Sequence, residues 1–208
     1  MTKEVLLTIA IPTIKNRKYL FEELYNELKK QSEPYGEQIE IISLVDDEEL
    51  FIGEKRNKLN QLAKGKYVVQ WDDDDWISAD GISKIMKGIE SECDVISFNN
   101  YCNIEQWGKL QYFHKFVSIK NNPPVIDYED SKIFSTPDQK SVIKSDIAKK
   151  IKFYNMNHSE DWFFMRDIIP YLKTEYYIDE FIYLYLNKSG ETMDPYKRYK
   201  IEKSSKLI

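Results

Sequence analysis

A chain of 208 residues, 42% hydrophobic and 14% aromatic, is long enough for one domain with a sizeable core and too apolar to be disordered. Its formal net charge of −5 argues against a broad nucleic-acid surface. No apolar run approaches the roughly 20 residues of a membrane-spanning helix, and the opening MTKEVLLTIAIPT is too short in its apolar part for a secretory signal, so the chain reads as cytoplasmic, with peripheral membrane attachment as the alternative.

Residues 5–11 form a short, β-branched apolar run stopped by Pro12, which predicts a buried strand. After Asn16, the stretch RKYLFEELYNELKKQ places Leu20, Leu24 and Leu28 four apart, the spacing of an amphipathic helix. A second buried strand over 39–45 ends in Asp46 and Asp47. Residues 53–63 predict a helix with Leu59 and Leu62 on one side and Gly65 at its end as a cap. A third strand, 67–71, runs into four consecutive aspartates, Asp72, Asp73, Asp74 and Asp75, and is followed by a helix over 79–90 and a strand over 95–98.

Strand, helix, strand, helix, strand is the pattern of a Rossmann-like, doubly wound and mostly parallel sheet flanked by helices. In such sheets ligands sit at the carboxyl ends of the strands. Here those ends carry Pro12 and Thr13, then Asp46 and Asp47, then the four aspartates, so three polar clusters converge on one crevice.

The second half is less periodic. Residues 109–119 predict a strand, 121–124 a loop, 145–151 a short helix and 159–172 a longer one with Glu160 and Asp161 in its first turn. Strands over 175–178 and 182–186 complete the sheet, with Tyr183 and Tyr185 as strand residues. Cys93 and Cys102 are too few for a disulfide framework or a zinc site and read as reduced core residues. The tail bearing Lys197, Arg198, Lys200, Lys203 and Lys206 reads as a solvated end, or else as a basic patch for an anionic acceptor or a membrane. No internal repeat divides the chain.

Four adjacent carboxylates repel one another unless a cation or solvent neutralises them. Magnesium and manganese take oxygen ligands, often one or two carboxylates with phosphate oxygens. On a strand, Asp72 and Asp74 face the same way. The competing reading is a solvated acidic turn, which the flanking Trp71 and Trp76 make less ordinary.

The segment GEKRNKLNQLAKGKYVVQWDDDDW resembles the signature of family 2 glycosyltransferases, which have the GT-A fold. The matching residues are the pair Arg56 and Asn57, the step Ala63, Gly65 and Tyr67, and the carboxylates Asp72, Asp74 and Asp75. TIAIPTIKNRKYL, SLVDDEE and SEDWFFMRDI are similar to three further family motifs in the same order, over roughly residues 5–190. Glu48 and Glu49 depart from the pattern, standing where small residues are common. The resemblance implies a single domain over 1–208: a nucleotide-sugar-binding half to about residue 98, an acceptor-binding half over about 99–190, and a tail over 191–208.

By resemblance, Pro12 and Thr13 hold the nucleotide and Arg17 approaches a phosphate, Thr13 having helix capping as its other reading. Asp46 or Asp47 accepts hydrogen bonds from the base or ribose, or else caps a turn. Lys55 or Arg56 pairs with phosphate or base, or else is an exposed helix residue. Asp72 and Asp73 lie on the nucleotide side, and Asp74 holds Mn2+ or Mg2+. The third metal ligand is open, since no histidine follows Leu186. Asp161 is the catalytic base, which implies inversion at the anomeric carbon, although Ser159 as a helix cap followed by acids in the first turn explains the same residues. Glu160, His158, Trp162 and Asp75 support the site or meet the acceptor, and Trp107 and Trp162 are candidates to stack on a sugar. The implied donor is a UDP-sugar. The implied acceptor is a glycan or lipid-linked oligosaccharide, with protein or a nucleic-acid base as the alternative, read by residues 100–140 and the tail. A nucleotidyltransferase would need a glycine-rich phosphate loop, which IPTIKNRK lacks. A nucleotide- or cation-binding module without turnover is the non-enzymatic alternative.

Overall fold

The computed structural model describes residues 4–106 and 109–186, the side chains of residues 103–110 and 186 excepted. Trp107 and the basic tail residues lie outside them. Strand β1 (Leu7–Ile14) pairs in parallel with β2 (Ile39–Asp46) on one side and β3 (Tyr67–Gln70) on the other. Covered on both faces, β1 buries Leu7, Ile9, Ala10 and Ile11 completely, which is why it is a continuous apolar run and not an alternating one.

β1 does not stop at Pro12 but continues to Ile14 along β2. Pairing with β3 ends at Ala10, so beyond it that side of β1 is open and a residue without an N–H is tolerated.

Helix α1 (Lys18–Ser32) buries Leu20, Leu24 and Leu28, and α3 (Gly81–Ile89) buries Ile82, Ile85, Met86 and Ile89. They join one core cluster with Val69 and Ile96. The alternate residues Val68 and Val95 join a second cluster, with Phe164 and Ile168. The sheet is thus packed on both faces. Each fully buried leucine contributes on the order of 2 kcal/mol.

Helix α2 (Ile52–Leu62) differs from expectation: Leu59 is buried but Leu62 is 57% exposed, and the rest of its buried face is Gly53, Lys55, Arg56 and Asn60. Nor does Gly65 cap it. A side chain there would lie 2.6 Å from the Thr8 backbone nitrogen, so glycine is required by the close approach of the chain to β1.

The remaining elements are β4 (Trp76–Ile77), β5 (Val95–Gln106), β6 (Lys109–Val117), β7 (Val125–Asp127), β8 (Lys132–Ser135), β9 (Val142–Lys144), α4 (Ser145–Ala148), α5 (Glu160–Ile168) and β10 (Glu175–Leu186). Strands β1, β2, β3, β5 and β10 run the same way, and the short β9 is wedged antiparallel between β3 and β5. β10 is one strand where two were expected, with register shifts around Phe181. The helix expected over 159–172 ends at Ile168 and passes into a 3-10 turn containing Pro170, whose ring cannot continue an α-helix. Strands β4, β7, β8 and β9 are two to four residues long, too short to show a period. Among the described residues no helix is long and apolar enough to cross a membrane.

Candidate active site

The ends of β1 and β3, the start of α2 and the start of α5 enclose a cavity of about 430 Å³. Pro12, Thr13, Arg17, Lys55, Arg56, Asp72, Asp73, Asp74, His158, Glu160 and Asp161 all line it. Asp46 and Asp47 are not among its lining residues, and Trp162 and Asp75 stand outside it as well.

β3 ends at Gln70, so the four aspartates lie on a turn, closed by an amide of Asp75 on the Asp72 carbonyl at 3.3 Å. Strand alternation therefore does not govern them, and each is held by a polar partner, Asp73 and Asp74 sharing Arg17. Asp72 accepts from Arg56 Nη2 at 2.6 Å. Asp73 accepts the Thr13 hydroxyl at 2.6 Å, which places Thr13 within β1 and not at a helix cap. The Arg17 guanidinium reaches Asp73 at 2.6 Å and Asp74 at 2.5 Å. The Tyr183 hydroxyl donates to Asp75 at 2.6 Å, and its oxygen accepts the Asp72 amide at 3.2 Å. Asp73 and Asp75 are 3% and 1% exposed, so this is not a solvated acidic turn. Burial pushes the Asp73 carboxyl up to about 6. Burial, then the charges of Asp72 and Asp74, raise Asp75 well above the usual range. Burial opposes charge at Asp72 too, yet Arg56 and Lys140 hold it below that range.

Lys55 and Arg56 are not exposed helix residues: they are 3% and 2% accessible. Lys55 Nζ donates to the Thr13 carbonyl at 3.0 Å and pairs with Asp46. Asp46 also accepts the Glu48 and Leu50 amides at 3.2 and 2.9 Å, closing a turn in which Glu48 adopts a left-handed φ of 65°. Asp47 is exposed and paired with Lys15 at 2.6 Å. Arg56 spans the site, its Nε on Glu160 at 3.1 Å, while its buried Nη1 has no hydrogen-bond partner among the described residues.

The α2 start is zipped to the segment ahead of α5. Asn57 exchanges two hydrogen bonds with the Phe153 backbone, at 2.8 and 2.9 Å. Gly53 lies so close to that segment that a side chain would sit 1.8 Å from the Tyr154 carbonyl oxygen. Ser159 does not cap α5: it has a left-handed φ of 66° and no side-chain capping bond, an uncommon conformation for a non-glycine residue and a local strain. Asp161 instead accepts the Trp162 amide at 2.8 Å. His158 is exposed at the rim.

Lys140 escaped the sequence reading. Its ammonium lies 3.9 Å from Asp72 and 3.9 Å from Asp161, 5.0 Å from the centre of the Tyr185 ring, and is buried. It arrives on a stretch, residues 135–143, in which every residue is buried. Asp138 anchors that stretch, accepting Lys115 Nζ and the Lys140 amide, both at 2.9 Å. Burial opposes the Asp138 charge, but Lys115 and Lys140 bring its carboxyl down to about 2. The Gln139 and Lys140 carbonyls accept the Gln70 amide at 2.9 Å and the Trp71 indole at 3.2 Å. A run such as Pro137, Asp138, Gln139, Lys140 and Ser141 between two apolar pairs reads as a surface turn, and nothing local marks it as interior. Tyr183 and Tyr185 are strand residues as expected, but both also reach the site.

Among the described residues no group of three or more His, Cys, Asp or Glu side chains is arranged to hold a metal alone. Asp74, 19% exposed in its side chain, offers hard oxygen donors on the cavity wall, which suits an ion that completes its shell with phosphate oxygens and water.

The sequence model of glycosyl transferase family 2 matches residues 27–152, more than half of the chain. No curated protein matches it. Among solved structures, S. aureus TarS 1–349 in complex with UDP-GlcNAc is similar with a TM-score of 0.62 and 17% identity, covering 98% of this chain and 66% of that one. S. aureus TarS itself gives 0.62 and 18%, over 98% of this chain and 39% of that one. TarS 1–349 with UDP gives 0.60 and 17%, over 95% and 63%. The chain thus spans at most 66% of these relatives, and at such identities the likeness is one of fold.

Proposed function

Because the chain belongs to glycosyl transferase family 2 and has the GT-A fold, we propose that it is a nucleotide-sugar glycosyltransferase that moves a sugar from a UDP-sugar to the hydroxyl of a glycan or lipid-linked acceptor, with a divalent metal and with inversion. The observation that carries this reading is Lys140, a buried ammonium 3.9 Å from both Asp72 and Asp161. It joins a carboxylate of the donor turn to a carboxylate suited to be a base. The UDP-GlcNAc complex of the TarS relative supports a UDP-sugar as donor. In this reading residues to about 98 hold the donor and residues of about 99–190 the acceptor.

Breaking a sugar–diphosphate bond leaves negative charge on the diphosphate. Arg17, half-exposed at the cavity, and the unpartnered Nη1 of Arg56 supply donors for phosphate oxygens. Asp74 would hold Mn2+ or Mg2+, which neutralises the same charge as a Lewis acid. Asp72 and Asp73 orient the nucleotide. The acceptor hydroxyl gives its proton to Asp161 as it attacks the anomeric carbon. Attack from the face opposite the leaving group inverts that carbon.

UDP release from UDP-sugars, with manganese and water as acceptor, tests the proposal. Wild type releases UDP, and Asp161→Asn lowers the rate on the order of 10²–10⁴-fold with UDP affinity kept. A wild type that neither binds UDP nor cleaves any UDP-sugar, together with an Asp74→Ala variant indistinguishable from it, refutes the reading.

A further inference from the structure

A second cavity, of about 300 Å³, meets the first at Asp161 and Tyr185, with Lys140 on its own wall 3.9 Å from Asp161. Its back wall is the β5–β6 ladder. Asn100 and Cys102 project from one face of β5, and Lys115 stands opposite Asn100 in register on β6. Its outer wall is apolar, with Ile126, Ile133 and Met165, and its mouth carries Trp162, 53% exposed.

Three features select a ligand. The charges balance: Lys115 and Lys140 face Asp138 and Asp161, so an added phosphate or ammonium would meet a like charge as closely as an opposite one. Asn100 is 2% exposed and its Oδ1 has no hydrogen-bond partner among the described residues, an acceptor that native interiors rarely leave unfilled. The indole at the mouth offers a flat apolar face beside polar groups. An uncharged, hydroxyl-rich ring with one apolar face meets all three.

We propose that this cavity binds the acceptor as a single neutral pyranoside ring, stacked on Trp162, with a hydroxyl donated to Asn100 Oδ1 and the hydroxyl to be glycosylated turned to Asp161. The inference rests on the glycosyltransferase reading and adds to it the acceptor's class and the residues that select it. A charged polymer unit is not what this pocket is built for, and neither is a base extruded from nucleic acid.

Saturation-transfer NMR on the full chain with UDP and magnesium tests this. The probes are a panel of methyl hexopyranosides and N-acetylhexosaminides, glucose 6-phosphate, and a duplex containing 5-hydroxymethylcytosine. At least one neutral pyranoside is expected to be saturated, and its signal to fall about tenfold in Trp162→Ala and in Asn100→Leu, with UDP binding in the same samples unchanged. Trp162 is exposed, so its variant folds even where Asn100→Leu does not. The proposal is overturned if wild type binds UDP but no pyranoside, if pyranoside binding survives Trp162→Ala, or if only the phosphate or the duplex binds. A wild type that fails to bind UDP instead sinks the glycosyltransferase reading, and this proposal with it.

Discussion

On one side of Asp161 four aspartates crowd a single turn against Arg17 and Arg56, while on the other Lys115 and Asp138 form one closed pair. The first arrangement leaves donors to spare: Arg56 Nη1 is unpartnered among the described residues and Arg17 is 37% exposed in its side chain. The second is balanced. An overloaded turn suits a ligand that brings its own charge and a counter-ion, whereas a balanced pair suits one that brings neither. Lys140 belongs to both sides, since it faces Asp72, Asp161 and Asp138 together.

Substitutions can break this contrast at graded strengths. The largest effect is expected from Arg56→Met, which leaves Asp72 and the buried Glu160 without their partner. Stability should fall by about 3–5 kcal/mol in urea unfolding, and a loss under ~1 kcal/mol would mean that the buried network does not need its arginine.

Asp138→Asn is expected to cost about 2 kcal/mol at pH 7, and the cost should depend on pH. Its folded pKa of about 2 lies below the ordinary 3.8. The charge therefore stabilises the fold above pH ~4, and that stabilisation is lost as pH falls from ~4 to ~2. Unfolding curves of wild type and variant should converge over that window. A gap that stays constant down to pH 2 would show that the pair does not set it.

Arg17→Met should be the mildest for the fold, within ~1 kcal/mol, because the side chain is partly solvated. For UDP it should be severe, with affinity falling on the order of tenfold, as expected for a lost charged hydrogen bond. Calorimetric titration separates the two, and unchanged UDP affinity would move the phosphate contact elsewhere.

Much of the donor side was legible before any coordinates. Val68 and Val69 are apolar in succession because opposite faces of β3 feed two cores, and Leu20, Leu24 and Leu28 carry their helical spacing openly. Thr13 and the aspartates stand at strand ends, Arg17 in the turn that follows β1 and Arg56 in the first turns of α2, and the topology brings them together. What stayed hidden was hidden for a physical reason. Asp46 was legible as a strand end, but its buried partner Lys55 looks like any solvated helix lysine. The Lys140 ammonium is interior because Asp72 from the aspartate turn, Asp161 from α5 and the Tyr185 ring from β10 surround it, and none of these three is its neighbour in sequence. Long-range satisfaction of polar groups leaves no period to read. Gly65 was noticed for the wrong cause, since a helix cap and a close backbone approach both ask for the same residue.

The fully buried stretch over residues 135–143 also bears on how this architecture can vary. Loops between strands normally absorb insertions and deletions at little cost. This one cannot, because the Gln139 carbonyl is tied to Gln70, the Lys140 carbonyl to Trp71 and the Asp138 carboxylate to Lys115, and one added residue would shift β9 and turn its side chains to the opposite face. Relatives that use Lys140 in this way should keep the length of this connection fixed even where its letters change. Variation in length would then fall on the exposed turn between β7 and β8, around Tyr128 and Glu129.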